Sequence, residues 1–219
     1  MNTFILSSTC VVIASYLAGA VPFGLLIGFI KGVDIRTTGS GNIGATNVFR
    51  TLGKTLGIIT FVLDAFKGFF ASFFLPVIGC GQDHTAERPI LAIICACAAV
   101  AGHNWPVYLK FKGGKGVATS AGALLGIAPL AMTVGLFAWV IVFSIWRYVS
   151  LGSIVASVVV PISGWLLFYL HGNGLILPVT LTLLGVLSIY RHKSNILRLI
   201  DGTESKIEKK KTNKETQQA

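Results

Sequence analysis

Charge is scarce in this chain. Only 12% of its 219 residues are Asp, Glu, Lys or Arg, and 53% are hydrophobic. Soluble domains carry about a quarter charged residues, so the composition argues against a soluble globular enzyme and rules out a disordered chain. Mean hydropathy is +0.76, which makes the bilayer the solvent for most residues. Carboxylates are the rarest charges, eight against 18 Lys and Arg. Apart from Asp34, the first two polar loops have none, and a site for a hard cation needs several. Cysteine is equally sparse, at positions 10, 80, 95 and 97. Cys95 and Cys97 point apart on a helix, and no Cys/His set has zinc spacing. The sequence therefore implies no metal, no cofactor and no redox role. The net charge of +10 on so apolar a chain fits loops at an anionic membrane face, or anionic ligands, rather than nucleic acid.

The gaps between charges outline spans. Residues 1–30, 89–109, 116–146 and 148–190 hold no Asp, Glu, Lys or Arg, and about 20 apolar residues cross the hydrocarbon core. The expected spans are 4–30, then 55–79 with Asp64 and Lys67 inside it, then 89–109. The run 148–190 divides at His171-Gly172-Asn173-Gly174, a polar glycine turn. The stretch 117–146 is either one tilted span or breaks at Gly126-Ile127-Ala128-Pro129, where proline opposes helix. With the break, 16 of the 18 Lys and Arg fall on one side. Short basic loops face the cytoplasm, so the break is preferred. The expectation is an all-α integral membrane protein of seven transmembrane helices, N-terminus outside and C-terminus cytoplasmic. Residues 117–127 are a candidate half-helix buried by neighbours.

The N-terminus has no basic n-region and is read as a span, not a cleaved leader. Residues 1–202 form one membrane domain. The tail 203–219, rich in Lys, Glu, Thr and Gln, is expected to be disordered, with Lys209-Lys210-Lys211 attracted to lipid. Small residues at four-residue spacing, Ala20-Gly24-Gly28-Gly32 and Ala118-Gly122-Gly126, suit close helix packing.

Three loops on the expected cytoplasmic side carry the polar chemistry. Thr37–Arg50 includes Gly39-Ser40-Gly41-Asn42-Ile43-Gly44-Ala45-Thr46-Asn47, where backbone N–H groups can converge on an anion and Arg50 adds a two-pronged donor. His103-Asn104-Trp105-Pro106 leads to Lys112-Gly113-Gly114-Lys115-Gly116-Val117-Ala118-Thr119. Its glycines stand at a helix start, where free N–H groups and the helix dipole favour phosphate. The third loop is Arg191-His192-Lys193-Ser194-Asn195-Ile196-Leu197-Arg198, with His192 and Asn195 on one helical face. Arg147 with Ser150 and Ser153 is a smaller cluster. Arg50, Lys115, Arg147, Arg191 and Arg198 are expected to converge on one electropositive pocket. Asp64 and Lys67 are either a self-satisfied i, i+3 pair or part of the site.

The three loops, in this order, resemble the signature regions of the bacterial PlsY family, the acyl phosphate:glycerol-3-phosphate acyltransferases. Val62-Leu63-Asp64 with Lys67-Gly68 resembles that family's second span. The likeness runs from residue 1 to about 204. It implies transfer of a fatty acyl group from acyl phosphate to the 1-hydroxyl of glycerol 3-phosphate, giving lysophosphatidate and inorganic phosphate in phospholipid synthesis. It places the protein in the bacterial inner membrane with its site on the cytoplasmic face, among membrane lipids. By position, the family's catalytic set falls on Ser40, Arg50, Lys115, His192 and Asn195. Its substrate- and phosphate-binding positions fall on Asn42, Thr46, Gly113, Gly114 and Gly116, and the pocket adds Arg147 and Ser150. No Gly-x-Ser-x-Gly elbow and no His-x4-Asp pattern is present. A rival reading is a transporter for an organic phosphate. It requires a polar route to the outer face, for which only Asp64 and Lys67 lie at depth.

Overall fold

The computed structural model describes residues 2–172 and 174–207. Among these the chain is helical, with no strand. Helix α1 (Asn2–Ala20) ends two residues before Pro22, and α2 (Phe23–Ile30) resumes after it. The expected span 4–30 is thus divided, because proline lacks a donor and disfavours helix at Val21. A short polar helix, α3 (Ala45–Leu52), precedes α4 (Lys54–Phe69). A π turn at Phe70–Phe74 carries α4 on into α5 (Leu75–Cys80). Next come α6 (Arg88–Asn104), α7 (Val117–Ile127) and α8 (Pro129–Trp146). Ala128, at φ −149 and ψ 59, separates the last two, at the break the charge pattern favoured. Helices α9 (Val149–His171) and α10 (Ile176–Arg191) are parted by Gly172 and Gly174, both at positive φ. The short α11 (Lys193–Ile200) follows.

Among the described residues, five segments are long and apolar enough to cross a membrane: Thr3–Ala20, Lys54–Cys80, Arg88–Leu109, Pro129–Trp146 and Val149–His171. Two apolar helices are shorter, Val117–Ile127 and Ile176–Arg191. At 1.5 Å per residue α7 is about 17 Å long, little more than half the hydrocarbon thickness. Outward faces carry exposed Phe66, Ile141 and Leu166, a surface suited to lipid rather than water.

Lipid tails give apolar helices no hydrophobic reason to associate, so close packing must hold them. Helix α1 lies on α6, and α4 on α7, while α8, α9 and α10 form a second group. At Gly102 a Cβ would run into the carbonyl of Tyr16, and at Gly122 into that of Ala65. Gly122 therefore seats α7 on α4, and Gly126 seats it on Ser72 of the π turn. The Ala20-Gly24-Gly28-Gly32 row does not act as a helix seam. It is cut at Pro22, and Gly24 and Gly28 instead admit the carbonyls of Ile43 and Val33. Leu124, Val160 and Leu181 close the core where the two groups meet.

Residues 203–207 are held at two points. Glu204 is 6% exposed, and the Ile207 amide donates to the Arg147 carbonyl at 3.0 Å. Within the expected tail, Glu204 and Ile207 thus tie the chain back to the membrane domain. The remaining tail, with Lys209-Lys210-Lys211, lies outside the described residues.

Candidate functional site

The polar segments meet at one end of the bundle. The Arg50 guanidinium donates to the Ser205 carbonyl at 2.7 Å, and the Lys115 ammonium donates to the Asn195 side-chain oxygen. From this junction a cavity of about 1240 Å³ extends between the two helix groups. Its polar part is lined by Ser40, Asn42, Thr46, Arg50, Lys115, Gly116, Arg147, Ser150, His192 and Asn195. Its apolar part is lined by Phe61 of α4, Leu124 of α7, Trp139 of α8, Val160 of α9 and Leu184 of α10. Cationic groups are thus continuous with an apolar slot.

The first loop owes its shape to Asn47, which is 1% exposed. Its oxygen accepts from the Ser40 amide at 2.9 Å, and its nitrogen donates to the carbonyls of Ile35 (2.8 Å) and Thr38 (3.1 Å). The Asn42 side chain accepts from the Gly44 amide at 2.8 Å, an Asx turn that delivers the chain to α3. Arg50 is on the last turn of α3. Burial works against its charge, and the nearby Glu204 carboxylate opposes that effect.

In the second loop only part of the expected cradle faces the cavity. Lys115 and Gly116 line it, with Gly116 at φ 77 starting α7. Gly113 and Gly114 lie behind. The Gly114 amide donates to the His103 carbonyl at 3.1 Å, so it is not free for a ligand. Arg191 also departs from expectation. Its guanidinium donates to the carbonyls of Gly114 and Gly113, each at 3.1 Å, and stacks 5.7 Å from Trp105. It braces the loop from the rear instead of facing the pocket. The amides available to an anion are those of the first turn of α7, which have no intrahelical partners. Burial pushes the Lys115 pKa down to about 8, against the attraction of Glu204.

The third segment contains the residue that the sequence reading did not place in the site. Glu204 accepts from Ser150 and from the Asn195 nitrogen at 2.8 Å each, and from Arg198 at 2.7 Å. Burial raises its pKa, but these three donors outweigh that and hold it below the usual carboxylate range. Arg198 is thus spent on Glu204. His192 is 2% exposed and shares a 2.8 Å hydrogen bond between Nδ1 and the Ser188 carbonyl. A carbonyl only accepts, so Nδ1 carries the proton and Nε2 keeps its lone pair. Burial lowers the His192 pKa to about 4, and the neighbouring Lys115 charge adds to this. Among the described residues, no three His, Cys, Asp or Glu side chains are grouped to hold a metal.

Asp64 and Lys67 form an ion pair at 2.8 Å, with His103 3.7 Å from the same carboxylate oxygen. Asp64 and His103 also line the cavity.

A family model described as glycerol-3-phosphate acyltransferase matches residues 9–202. The chain belongs to the glycerol-3-phosphate acyltransferase family. A glycerol-3-phosphate acyltransferase of Desulforamulus reducens is 44% identical over 94% of this chain and 98% of its own. One of Trichlorobacter lovleyi is 44% identical over 88% and 93%. The crystal structure of PlsY, an integral membrane glycerol 3-phosphate acyltransferase, in its glycerol 3-phosphate form superposes with a TM-score of 0.80 at 38% identity. That match covers 92% of this chain and 96% of PlsY. Its lysophosphatidic acid form gives 0.78 at 37% identity.

Proposed function

We propose that this acyltransferase moves a fatty acyl group from acyl phosphate to the 1-hydroxyl of glycerol 3-phosphate. The products are lysophosphatidate and inorganic phosphate. The observation that carries the reading is one cavity in which Arg50 and Lys115 stand at the mouth of an apolar slot. It suits two phosphates beside a hydrocarbon tail. Family membership, and the glycerol 3-phosphate and lysophosphatidic acid forms of PlsY, support the same substrate and product.

The start of α7, with Gly116 and Lys115, receives the acyl phosphate's phosphoryl group and stabilises charge as it leaves. Gly113 and Gly114 shape that start from behind. Arg50, with Ser40, Asn42 and Thr46, holds the phosphate of glycerol 3-phosphate. Arg147 and Ser150 border the acyl chain's entry. The glycerol oxygen attacks the carbonyl carbon, the carbon–oxygen bond to phosphate breaks, and phosphate departs with the electron pair. Ser40, Asn195 or loop amides polarise the carbonyl. The released proton goes to a phosphate oxygen in preference to His192. A phosphate monoester has a second pKa of about 6, well above that of His192. Nε2 of His192 then orients the attacking hydroxyl. A mixed anhydride has a good leaving group, so positioning supplies most of the acceleration.

The reading includes seven crossings, with the N-terminus outside and the site at the cytoplasmic face of the bacterial inner membrane. The meeting of the three polar loops and the Arg147 cluster at one end, each separated by an even number of helical passes, supports an odd number of crossings. Purified protein given labelled glycerol 3-phosphate and palmitoyl phosphate should form lysophosphatidate. No product above a Lys115→Ala control refutes the activity.

A further inference from the structure

We propose that His103, seated on the buried Asp64–Lys67 pair, is a positioning residue for the glycine loop and sets that loop's affinity for phosphate. The proposal rests on the reading of the loop as a phosphate site. Charged groups at membrane depth are costly and need partners. Lys67 has them. Its ammonium lies 2.8 Å from Asp64 and donates to the Val21 carbonyl at 2.7 Å, an acceptor freed by the break at Pro22. A tie between α4 and the end of α1 therefore accounts for Lys67. It does not account for His103.

His103 is 5% exposed, yet its Nδ1 has no hydrogen-bond partner among the described residues, and Asp64 Oδ1 has no aligned one. The two atoms face each other at 3.7 Å, about 1 Å beyond ordinary hydrogen-bond length. The other ring nitrogen, Nε2, lies so near Gly114 that a Cβ there would overlap it. The His103 carbonyl accepts from the Gly114 amide at 3.1 Å, and Arg191 grips the Gly114 oxygen at 3.1 Å. Gly114 is clamped on three sides, and Lys115 is the next residue. Tilting the imidazole moves Gly114, and with it the Lys115 ammonium and the amides at the start of α7.

The pairing also explains how a carboxylate can line a cavity for phosphates. Unpaired, Asp64 would repel a dianion. Neutralised by Lys67, it keeps a local acceptor that orients the imidazole while adding little net negative field.

The test compares wild type with His103→Ala, His103→Gln and the double variant Asp64→Asn/Lys67→Met, which leaves no orphan charge. Steady-state kinetics are measured for both substrates, with thermal unfolding and calorimetric titration of inorganic phosphate alongside. His103→Ala and the double variant should raise the KM for palmitoyl phosphate and the phosphate Kd about tenfold, with kcat changed less than about threefold. His103→Gln, whose amide nitrogen reaches the Nε2 position, should restore most of the loss. Unchanged KM and Kd values with a lowered unfolding midpoint would overturn the proposal, leaving the cluster a packing device. A rise confined to the glycerol 3-phosphate KM supports the positioning role and reassigns the phosphate bound at the loop. Absent turnover in wild type, with phosphate binding still weakened by His103→Ala, refutes acyl transfer and leaves the positioning role standing.

Discussion

The Lys115 ammonium donates to the Asn195 side-chain oxygen, a contact that spans 80 positions in the chain. On its other side the Asn195 nitrogen donates to Glu204 at 2.8 Å. One amide therefore connects a cation and a carboxylate that both border the cavity, and both ends of that amide are assigned by their partners.

Removing this link should cost both rate and stability. Asn195→Ala leaves Glu204 short of a donor, a loss of about 1–3 kcal/mol for a buried polar group. It also frees the Lys115 ammonium, and kcat should fall about 100-fold. Thermal unfolding and steady-state rates check both. Wild-type kcat in a folded Asn195→Ala protein would remove Asn195 from the site.

Lys115 predicts an alkaline limit. With its pKa lowered to about 8, the group is charged below that pH and neutral above it. The free-enzyme profile of kcat/KM should therefore decline as pH rises through about 8. Lys115→Arg keeps its charge, so its profile should stay flat to higher pH even at a lower rate. An unmoved limb in that variant would assign the titration elsewhere.

His192 predicts an acid-side effect of a different kind. Its pKa falls from 6.5 to about 4 on burial, so between those values the unfolded chain binds the extra proton and the folded one does not. Stability should thus drop as pH falls from 6.5 toward 4, by up to about 3 kcal/mol. In His192→Gln that dependence should shrink. Any rate limb near pH 6 should follow the substrate phosphate and persist in His192→Gln. Its disappearance there would restore His192 as the base.

Two glycines of similar φ should behave differently. Gly116 (φ +77) has the Asn104 oxygen 2.8 Å from where a Cβ would be, whereas Gly32 (φ +70) has nothing within 4 Å. Left-handed backbone costs a non-glycine residue roughly 1–2 kcal/mol. Gly32→Ala should lose that much stability with unchanged KM values. Gly116→Ala should lose more, and should raise the KM for acyl phosphate. Equal kinetics in the two variants would show that the loop has no part in binding.

Much of the site was legible because each polar loop had its own local logic. Lys115 and Gly116 were readable as a basic glycine turn ahead of an apolar run, and the break before Pro129 followed from missing donors and charge balance. The surroundings of Gly114 and Arg191 are not legible for one reason: a free amide or guanidinium looks the same in a sequence whether it faces a ligand or a neighbouring carbonyl. Asn47 lay in the first loop without any mark of its three backbone hydrogen bonds. Glu204 was hidden further. It is an acid in a basic, polar tail, and no periodicity ties it to Ser150 or Asn195.

By itself the sequence determined the solvent, the helices and the inventory of groups. Long charge-free runs admit only helices in lipid, where every backbone donor needs an internal acceptor, and the glycine and proline positions divided those runs. Only the tertiary structure decided which groups face the cavity and which support it. Lys115, Arg50, His192, His103, Asn47 and Glu204 all border the cavity, and Asn47 and Glu204 also hold neighbouring polar groups by hydrogen bonds, whereas Arg191 lies behind the glycine loop. The physical reason is distance. Hydrogen bonds reach about 3 Å, and the partners that set these orientations come from helices far apart in the chain.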